Sequence, residues 1–264
     1  MKAKATLLLS CLAFALCILP ARTPAYAQAG AGIDSTHFWT YKLLQPNTQP
    51  VPGVQASDQF FMIPIPITPY RQARLLNWVY KNNSTVRDTL VHYTWWDVQE
   101  QVPVNRNVIV DNQFGRYEVT VDHLSFMLVP TRKNTDVAGG PLQANHYLCY
   151  RTHGFPAPGL PYSMQDEWRH DFVNPGPIEF LCAPCFKYHN GQTFPILDPN
   201  THLAAYPIGT TSESFSPFLS NQFTIGGVQV QAGGTEYIFV PSVKIEDPTP
   251  TLKSSWGKIK LLYR

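Results

Sequence analysis

The sequence predicts an all-β protein made of four tandem repeats of about 55 residues, and three observations support this class. The same short motifs return at a nearly constant spacing along the chain. Short runs rich in Val, Ile and aromatic residues alternate with Asn, Asp, Gly and 24 prolines, which is typical of strands and turns. No stretch after residue 27 has the periodicity of an amphipathic helix. We therefore expect two β-sandwich or barrel-like domains of two repeats each, with a four-bladed β-propeller as the alternative.

Each predicted repeat opens with a strand of the pattern His-x-x-x-aromatic. Successive copies of this strand are 55, 54 and 56 residues apart. Residues 256–264 follow the fourth repeat and have the features of a fifth opening strand without its histidine. The histidine and aromatic pairs are His37/Tyr41, His92/Trp96, His146/Tyr150 and His202/Tyr206.

A triplet of Asp or Asn, then Gln or Glu, then Phe or Trp follows each opening strand. A general acid or base cannot be exchanged for an amide, whereas a side chain that stabilises a turn can. The alternation of Asp and Asn therefore favours a structural role for the first position. The triplets are Asp58-Gln59-Phe60, Asn112-Gln113-Phe114, Asp166-Glu167-Trp168 and Asn221-Gln222-Phe223.

Each repeat closes with a hydrophobic run that finishes at a lysine. A proline stands three residues before the lysine in the last three repeats. The opening strand, the triplet and the closing run thus recur at the same relative spacing, which indicates a repeated structural unit. The closing lysines are Lys81, Lys133, Lys187 and Lys244.

The N-terminal residues predict export from the cytoplasm. Residues 1–27 combine early lysines, an apolar run and a small-x-small site that ends at Ala27, which is typical of a cleaved signal peptide. The expected location is secreted or periplasmic. A mobile leader is expected at 28–36, and a Gly-rich junction at 135–145 predicts a boundary between domains 31–138 and 139–264.

The net charge argues against binding to nucleic acid or to an anionic membrane surface, and the hydropathy argues against a transmembrane segment. Loss of residues 1–27 would leave 17 basic against 18 acidic residues, without long runs of either sign. Such a neutral chain does not favour nucleic acid or an anionic membrane surface. The apolar N-terminal run is also too short for a transmembrane segment.

Three cysteines follow the predicted signal peptide. In an exported protein a cysteine pair is expected to form a disulfide. A bridge from Cys149 to Cys182 would join the opening and closing strands of one repeat and leave Cys185 over. The CAPC run at 182–185 also has the spacing of a redox motif, but its place in a closing strand favours the structural interpretation.

Several motifs resemble a family of uncharacterised secreted bacterial β-repeat proteins. They are HYLCYR at 146–151, VDNQFG at 110–115 and FLCAPCFK at 180–187. The resemblance implies an all-β repeat fold and pairing of the two motif cysteines, and the family has no assigned activity. Three repeats depart from the pattern: bulky or small residues replace the motif cysteines, so packing is expected to replace the bridge there.

Two sets of side chains are candidates for binding. Symmetry could bring His37, His92, His146 and His202 to a metal ion, although histidines on apolar faces are more often structural, so neither a metal nor another cofactor is expected. Exposed aromatic residues in one groove would suit a sugar or a peptide. The candidate aromatics are Trp39, Trp95, Trp96 and Trp168.

No known catalytic motif is present, so no catalytic residue is predicted. The densest ionisable cluster is Asp166, Glu167, His170 and Asp171, which is typical of a solvated turn. The sequence therefore predicts an exported non-enzymatic repeat protein that binds a protein or glycan or serves a structural role in the envelope. The alternative is an extracytoplasmic enzyme that acts on polysaccharide at the cleft between repeats.

Overall fold

The computed structural model describes residues 36–82, 86, 89–134, 142–154, 157–159 and 161–246. The predicted signal peptide, nearly all of the leader and the segment at 256–264 lie outside the described residues. The all-β class is confirmed. The strands are β1 His37–Leu43, β2 Val54–Ser57, β3 Ile65–Ile67, β4 Pro69–Lys81, β5 His92–Val98, β6 Pro103–Asn112, β7 Gly115–Lys133, β8 His146–His153, β9 Tyr162–Gln165, β10 His170–Val173, β11 Phe180–His189, β12 Gln192–Phe194, β13 His202–Pro207, β14 Ser214–Phe215, β15 Phe218–Asn221, β16 Thr224–Gln229 and β17 Ala232–Glu246.

Eight of these strands form a closed ring of antiparallel pairs. The order around the ring is β1, β4, β5, β7, β8, β11, β13 and β17, and β17 pairs with β1 again. Each opening strand therefore lies between two closing strands. Ring closure leaves no free edge among these eight strands, and a free edge would offer unpaired backbone groups to other chains.

The inner face of the ring carries an aromatic core. Alternate residues of a strand point to opposite faces. On β8, Tyr147 and Cys149 accordingly belong to a core cluster made almost wholly of ring-strand residues, with contributions from all eight strands. Trp95 and Phe126 stack in it with their ring centroids 3.4 Å apart. The departures from the cysteine motif lie in this core, where Trp95 stands opposite Leu128 and Ala205 opposite Phe239.

The outer face of the ring is covered by hairpins that carry the triplets. The second core cluster combines outward residues such as Trp39 and Leu148 with hairpin residues such as Phe60 and Leu219. The closing strands are longer than the ring and pair at their ends with the strands that precede the triplets. These pairs are β4 with β9, β7 with β15, β11 with β2 and β17 with β6.

Both predicted halves of the chain contribute to this ring. The junction between residues 31–138 and 139–264 is bridged by β7 pairing with β8, and the chain ends are bridged by β17 pairing with β1. Both core clusters contain residues of both halves. Two separate domains would have separate cores, and a four-bladed propeller would have four separate sheets. The described residues instead share one sheet. They contain no helix with the length and apolarity that a membrane crossing requires.

Candidate functional site

The Asp or Asn that begins each triplet stabilises a tight turn. Asp58 Oδ1 accepts the backbone N–H groups of Phe60 and Phe61 at 2.8 and 3.0 Å. Asn112, Asp166 and Asn221 accept the N–H group two residues on at 2.8 Å in the same way. These local hydrogen bonds are typical of Asx turns, so the structural role predicted from the exchange of Asp and Asn is confirmed.

The second side-chain atom of three of these residues ties the turn to a buried tyrosine. Tyr150 donates to Asp58 Oδ2 at 2.7 Å and Tyr41 to Asp166 Oδ2 at 2.6 Å. Asn112 Nδ2 donates to the hydroxyl of Tyr206 at 2.9 Å. Each tyrosine is the last residue of a His-x-x-x-aromatic motif 92 to 125 residues away in sequence. The turns therefore connect distant parts of the chain.

The fourth turn uses hydroxyl groups of threonine, because its aromatic partner is Trp96. Asn221 Nδ2 donates to Thr94 Oγ1 at 3.0 Å and contacts Thr131 Oγ1 at 3.3 Å. Trp96 Nε1 donates to Thr94 Oγ1 at 3.1 Å, and the ring packs edge-on against Phe223. Tryptophan has no hydroxyl group, so the two threonine hydroxyls take the role that a tyrosine hydroxyl has in the other three turns.

The middle residue of three triplets contacts a buried histidine. Gln59, Gln113 and Gln222 place their amide nitrogens against Nε2 of His202, His37 and His146. For His202, Nδ1 lies 3.2 Å from the carbonyl oxygen of Asn200, which assigns the proton to Nδ1 and leaves Nε2 as an acceptor. Burial lowers the pKa of His202 to about 4.

The four motif histidines lie at separate places around the ring. His92 and His146 are also buried, and burial, followed by the charges of Lys133 and Lys187, lowers their pKa values. Among the residues that the structure describes, no three His, Cys, Asp or Glu side chains are grouped to hold a metal ion. Each histidine instead belongs to its own cluster with a closing lysine.

Acid is expected to destabilise the protein partly through His202. Burial lowers its pKa from 6.5 to about 4, so the unfolded state binds more protons between these values. The stabilising contribution is present above pH 6.5 and is lost as the pH falls through about 4. We expect His202→Gln to reduce the loss of unfolding free energy between neutral pH and about pH 4.5 by about 2 kcal/mol, as measured by urea denaturation.

Asp58 provides a control of opposite sign for that prediction. Burial raises its pKa from 3.8 to about 6, so its stabilising contribution is present below pH 3.8 and is lost as the pH rises through about 6. The Asp58→Asn variant should therefore lose more stability than the wild type on acidification. Equal pH dependence in all three proteins would contradict the assignment of both groups.

Each closing lysine extends over the aromatic residue of a triplet from the next unit. Lys133 Nζ lies 4.3 Å from the ring centre of Trp168 and contacts Glu167 and Asn77. Lys81 Nζ lies 5.4 Å from Phe114 and donates to Gln113 Oε1 at 2.5 Å, and Lys244 Nζ lies 5.2 Å from Phe60.

Lys187 extends over the aromatic residue of the fourth triplet in the same way. Its ammonium lies 4.7 Å from the ring centre of Phe223 and 4.2 Å from that of Phe194. The residue is fully buried, and burial lowers its pKa to about 7. Nζ has no hydrogen-bond partner among the described residues. This buried amine therefore lacks the hydrogen bonds that the ammonium of Lys133 makes.

The ionisable cluster at 166–171 takes part in separate structural contacts. Asp166 is buried in its turn, and Glu167 pairs with Lys133. Arg169 pairs with Asp171, and His170 Nε2 lies 2.8 Å from the hydroxyl of Ser163. These side chains do not converge on one point.

The candidate binding aromatics lie mostly in the interior. Trp39, Trp95 and Trp96 are buried in the two cores and offer no exposed face. Trp168 is partly buried and stacks on Phe215 with ring centroids 3.8 Å apart. None of these tryptophans supplies the exposed groove that sugar or peptide binding would need.

The three cysteines that the structure describes form one bridge and one buried thiol. Cys149 and Cys182 face each other across β8 and β11 and form a disulfide. Cys185 is free and buried, and burial raises the pKa of its thiol. Cys185 points to the outer core whereas the bridge lies in the inner core, so the CAPC run places its two sulfurs on opposite faces of the strand.

A pocket of about 450 Å³ lies beside the cluster of Lys187. This volume is in the usual range for small-molecule sites, which runs from about 300 to 1,000 Å³. Aromatic, imidazole and amide groups come together here from the ends of β7 and β8, the β11–β12 hairpin and the β15–β16 turn. The residues that line it include His146, His189, Asn190, Gln192, Phe194 and Gln222.

A second pocket of about 330 Å³ opens over Phe38, Tyr93 and Tyr147 of the inner core. Two polar side chains of its wall, Asn145 and Asp198, hold the adjacent loop. Asn145 Oδ1 accepts the N–H groups of residues 197 and 198, and Asp198 accepts those of residues 200 and 201. The pocket beside His146 is the stronger candidate because atoms near it have unmet hydrogen-bonding capacity: His146 Nδ1, Gln222 Oε1 and Lys187 Nζ.

The sequence prediction included His146 but did not identify the pocket around it. Asn190 and Gly191 have φ angles of 50° and 76° and form the two-residue turn between His189 and Gln192. An Asn-Gly pair between short strands is the strongest local signal for such a hairpin. Recognition of this turn in the sequence would have placed Phe194 opposite Lys187.

The fold and these contacts define an all-β repeat protein whose turns share one set of hydrogen bonds. The chain belongs to the DUF7450 family, a repeat of unknown function, whose family model matches residues 92–232. The resemblance to an uncharacterised repeat family is confirmed at this level. Comparison with curated proteins and with solved structures found no match.

Proposed function

We propose that the protein is an exported, non-enzymatic carbohydrate-binding protein whose site is the pocket beside His146. The observation that carries this proposal is the composition of the pocket wall. A partly exposed Phe194 ring stands there beside the exposed side-chain amides of Asn190 and Gln192. A planar ring packs against the C–H face of a sugar, and amides donate and accept hydrogen bonds as vicinal hydroxyl groups require.

The disulfide supports export. Cys149–Cys182 is a structural bridge inside the ring, and such bridges persist in oxidising compartments. The order of charged, apolar and small residues in 1–27 agrees with this location. Secretion or export to a periplasm would give the pocket access to envelope or extracellular glycans.

The roles of the buried carboxylates support a binding function over the enzymatic alternative. Asp58 and Asp166 accept several hydrogen bonds each within their turns. Glycoside hydrolysis usually needs two carboxyl groups on either side of the scissile bond. Asp58 and Asp166 belong to different turns and already have partners there.

Phe194→Ala is expected to weaken glycan binding about tenfold or more, because an aromatic anchor is often the main contributor at such a site. A glycan array with the mature protein would identify the ligand. Isothermal titration calorimetry would then compare the wild type with the variant. Far-UV circular dichroism would show that the variant is folded.

Phe172→Ala is the matched control, since this phenylalanine is 69% exposed and does not line the pocket. Its affinity should equal that of the wild type. The proposal would be wrong if no glycan bound, if Phe194→Ala bound as tightly as the wild type, or if the partner recovered from envelope extract were a protein that competes for the same pocket.

A further inference from the structure

Lys187 is a buried amine that forms no ion pair with the described residues. Its Nζ has no hydrogen-bond partner among the described residues, and the side chain is fully buried. The rings of Phe194 and Phe223 have their centres 4.2 and 4.7 Å from this nitrogen. Ring faces attract a cation, but this attraction does not replace the hydrogen bonds that the ammonium loses on leaving water.

Two further polar atoms of the same cluster lack partners. Gln222 contacts His146 Nε2 through its amide nitrogen, which leaves Gln222 Oε1 and His146 Nδ1 unpaired. Because Nε2 accepts from the amide, Nδ1 carries the proton of the neutral ring and is a donor. The cluster thus combines an ammonium, a second donor and one free acceptor. Three unsatisfied buried atoms in one place call for an explanation, such as a missing ligand.

The equivalent cluster at the third turn shows what Lys187 lacks. There Lys133 is also buried over an aromatic ring, but its ammonium contacts the Glu167 carboxylate and Asn77 Oδ1. Gln222 stands at the triplet position that Glu167 occupies. The triplet therefore supplies a carboxylate to Lys133, whereas the buried Lys81 and Lys187 meet a glutamine from that triplet position, and only Lys81 donates to its amide oxygen.

The pocket lies directly beside this position. Gln222, His146 and Phe194 all line it, and each contacts either Lys187 or another of these residues. Arg132 adds a cation at the wall, and the described residues of the lining include no carboxylate. An anionic group that enters past Phe194 would meet positive charge and hydrogen-bond donors without repulsion from a like charge.

We propose that the pocket recognises an acidic sugar, a uronic acid residue of an oligosaccharide, whose carboxylate takes the place beside Lys187 that Glu167 has beside Lys133. The proposal rests on the carbohydrate-binding function proposed above and names its ligand class. The carboxylate accepts hydrogen bonds from Lys187 Nζ and His146 Nδ1. Gln222 Oε1 accepts a hydrogen bond from a hydroxyl group of the sugar. The lowered pKa of Lys187, about 7, agrees with an ammonium that lacks its anion.

The test compares acidic and neutral versions of the same sugars. Trimers of galacturonic, glucuronic and mannuronic acid are titrated into the full mature protein by calorimetry. Each is paired with the trimer in which the carboxylates are reduced to hydroxymethyl groups. We expect one acidic trimer to bind about 30-fold more tightly than its reduced partner, as a charged hydrogen bond to a buried group provides.

Variants of the two lysine clusters assign the effect to Lys187. Lys187→Met should remove the preference for the acidic trimer, whereas Lys133→Met, the same change at the cluster with its own carboxylate, should keep it. Gln222→Glu should also remove the preference, because it supplies the missing carboxylate within the chain. This second variant keeps the lysine, so it tests the proposal even if Lys187→Met fails to fold.

The outcomes separate this inference from the proposed function. Equal affinity for acidic and reduced trimers would overturn the acidic-sugar proposal and leave carbohydrate binding intact. A preference that persists in both Lys187→Met and Gln222→Glu would overturn the role of this cluster. Absence of binding to every trimer, together with an empty glycan array, would overturn both.

Discussion

Replacement of Asp166 by alanine is expected to lower the free energy of unfolding by about 4 kcal/mol, because it leaves several buried donors without an acceptor. Asp166 accepts the hydroxyl of Tyr41 at 2.6 Å and the Asn77 amide at 2.9 Å. It also accepts the backbone N–H groups of Trp168 and Arg169 at 2.8 and 2.9 Å. Urea denaturation at neutral pH would measure the loss.

Asp166→Asn keeps the shape of the side chain and changes its hydrogen-bonding pattern, so it tests the second contribution alone. Asn77 Oδ1 accepts from Lys133, so its Nδ2 must donate towards residue 166. An asparagine there would keep the turn but place its own amide donor against that of Asn77. We expect a loss of about 2 kcal/mol, between the wild type and the alanine variant. A cost for Asp166→Ala below about 1 kcal/mol would contradict this account of the turn.

The local part of this arrangement could be predicted from the sequence, since it depends on neighbouring residues. The exchange of Asp58 for Asn112 in the same motif indicated a turn-stabilising side chain, and the backbone hydrogen bonds agree. The opening strands, such as β8, followed from their aromatic pattern. These features depend on residues a few positions apart, where spacing determines geometry.

The partners across the ring could not be predicted in this way. Asp58 meets Tyr150 and Asp166 meets Tyr41, yet the repeated motif offers each turn four similar aromatic partners. Which unit faces which depends on how the strands close the ring. Periodicity carries no information on that choice, and the expected division into two halves followed the Gly-rich junction instead of strand pairing.

The candidate site was missed for a related reason. Lys187 looked like one of four equivalent lysines, and Gln222 like one of three equivalent glutamines. Only the side-chain contacts of the structure show that Glu167 neutralises Lys133 while Lys187 has no such partner among the described residues. The difference between Glu167 and Gln222 was visible in the sequence. Its consequence for charge compensation could be recognised only once it was known which lysine each residue contacts.

Loss of the Cys149–Cys182 bridge is expected to lower the free energy of unfolding by about 3 to 4 kcal/mol. The two cysteines are 33 residues apart, and a cross-link of that span restricts the unfolded chain by about this amount. The double variant Cys149→Ala/Cys182→Ala and the wild type treated with a reductant should lose similar stability. Urea denaturation with and without dithiothreitol would measure both.

Cys185→Ala is the control, because it removes the free thiol and keeps the bridge. This variant should stay sensitive to the reductant, whereas the double variant should not. We still expect the double variant to unfold cooperatively. Other strand pairs of the ring have no disulfide at this position and place Trp95 opposite Leu128 and Ala205 opposite Phe239. A double variant without a folded state would show instead that the bridge is a condition of the ring and not a local reinforcement of it.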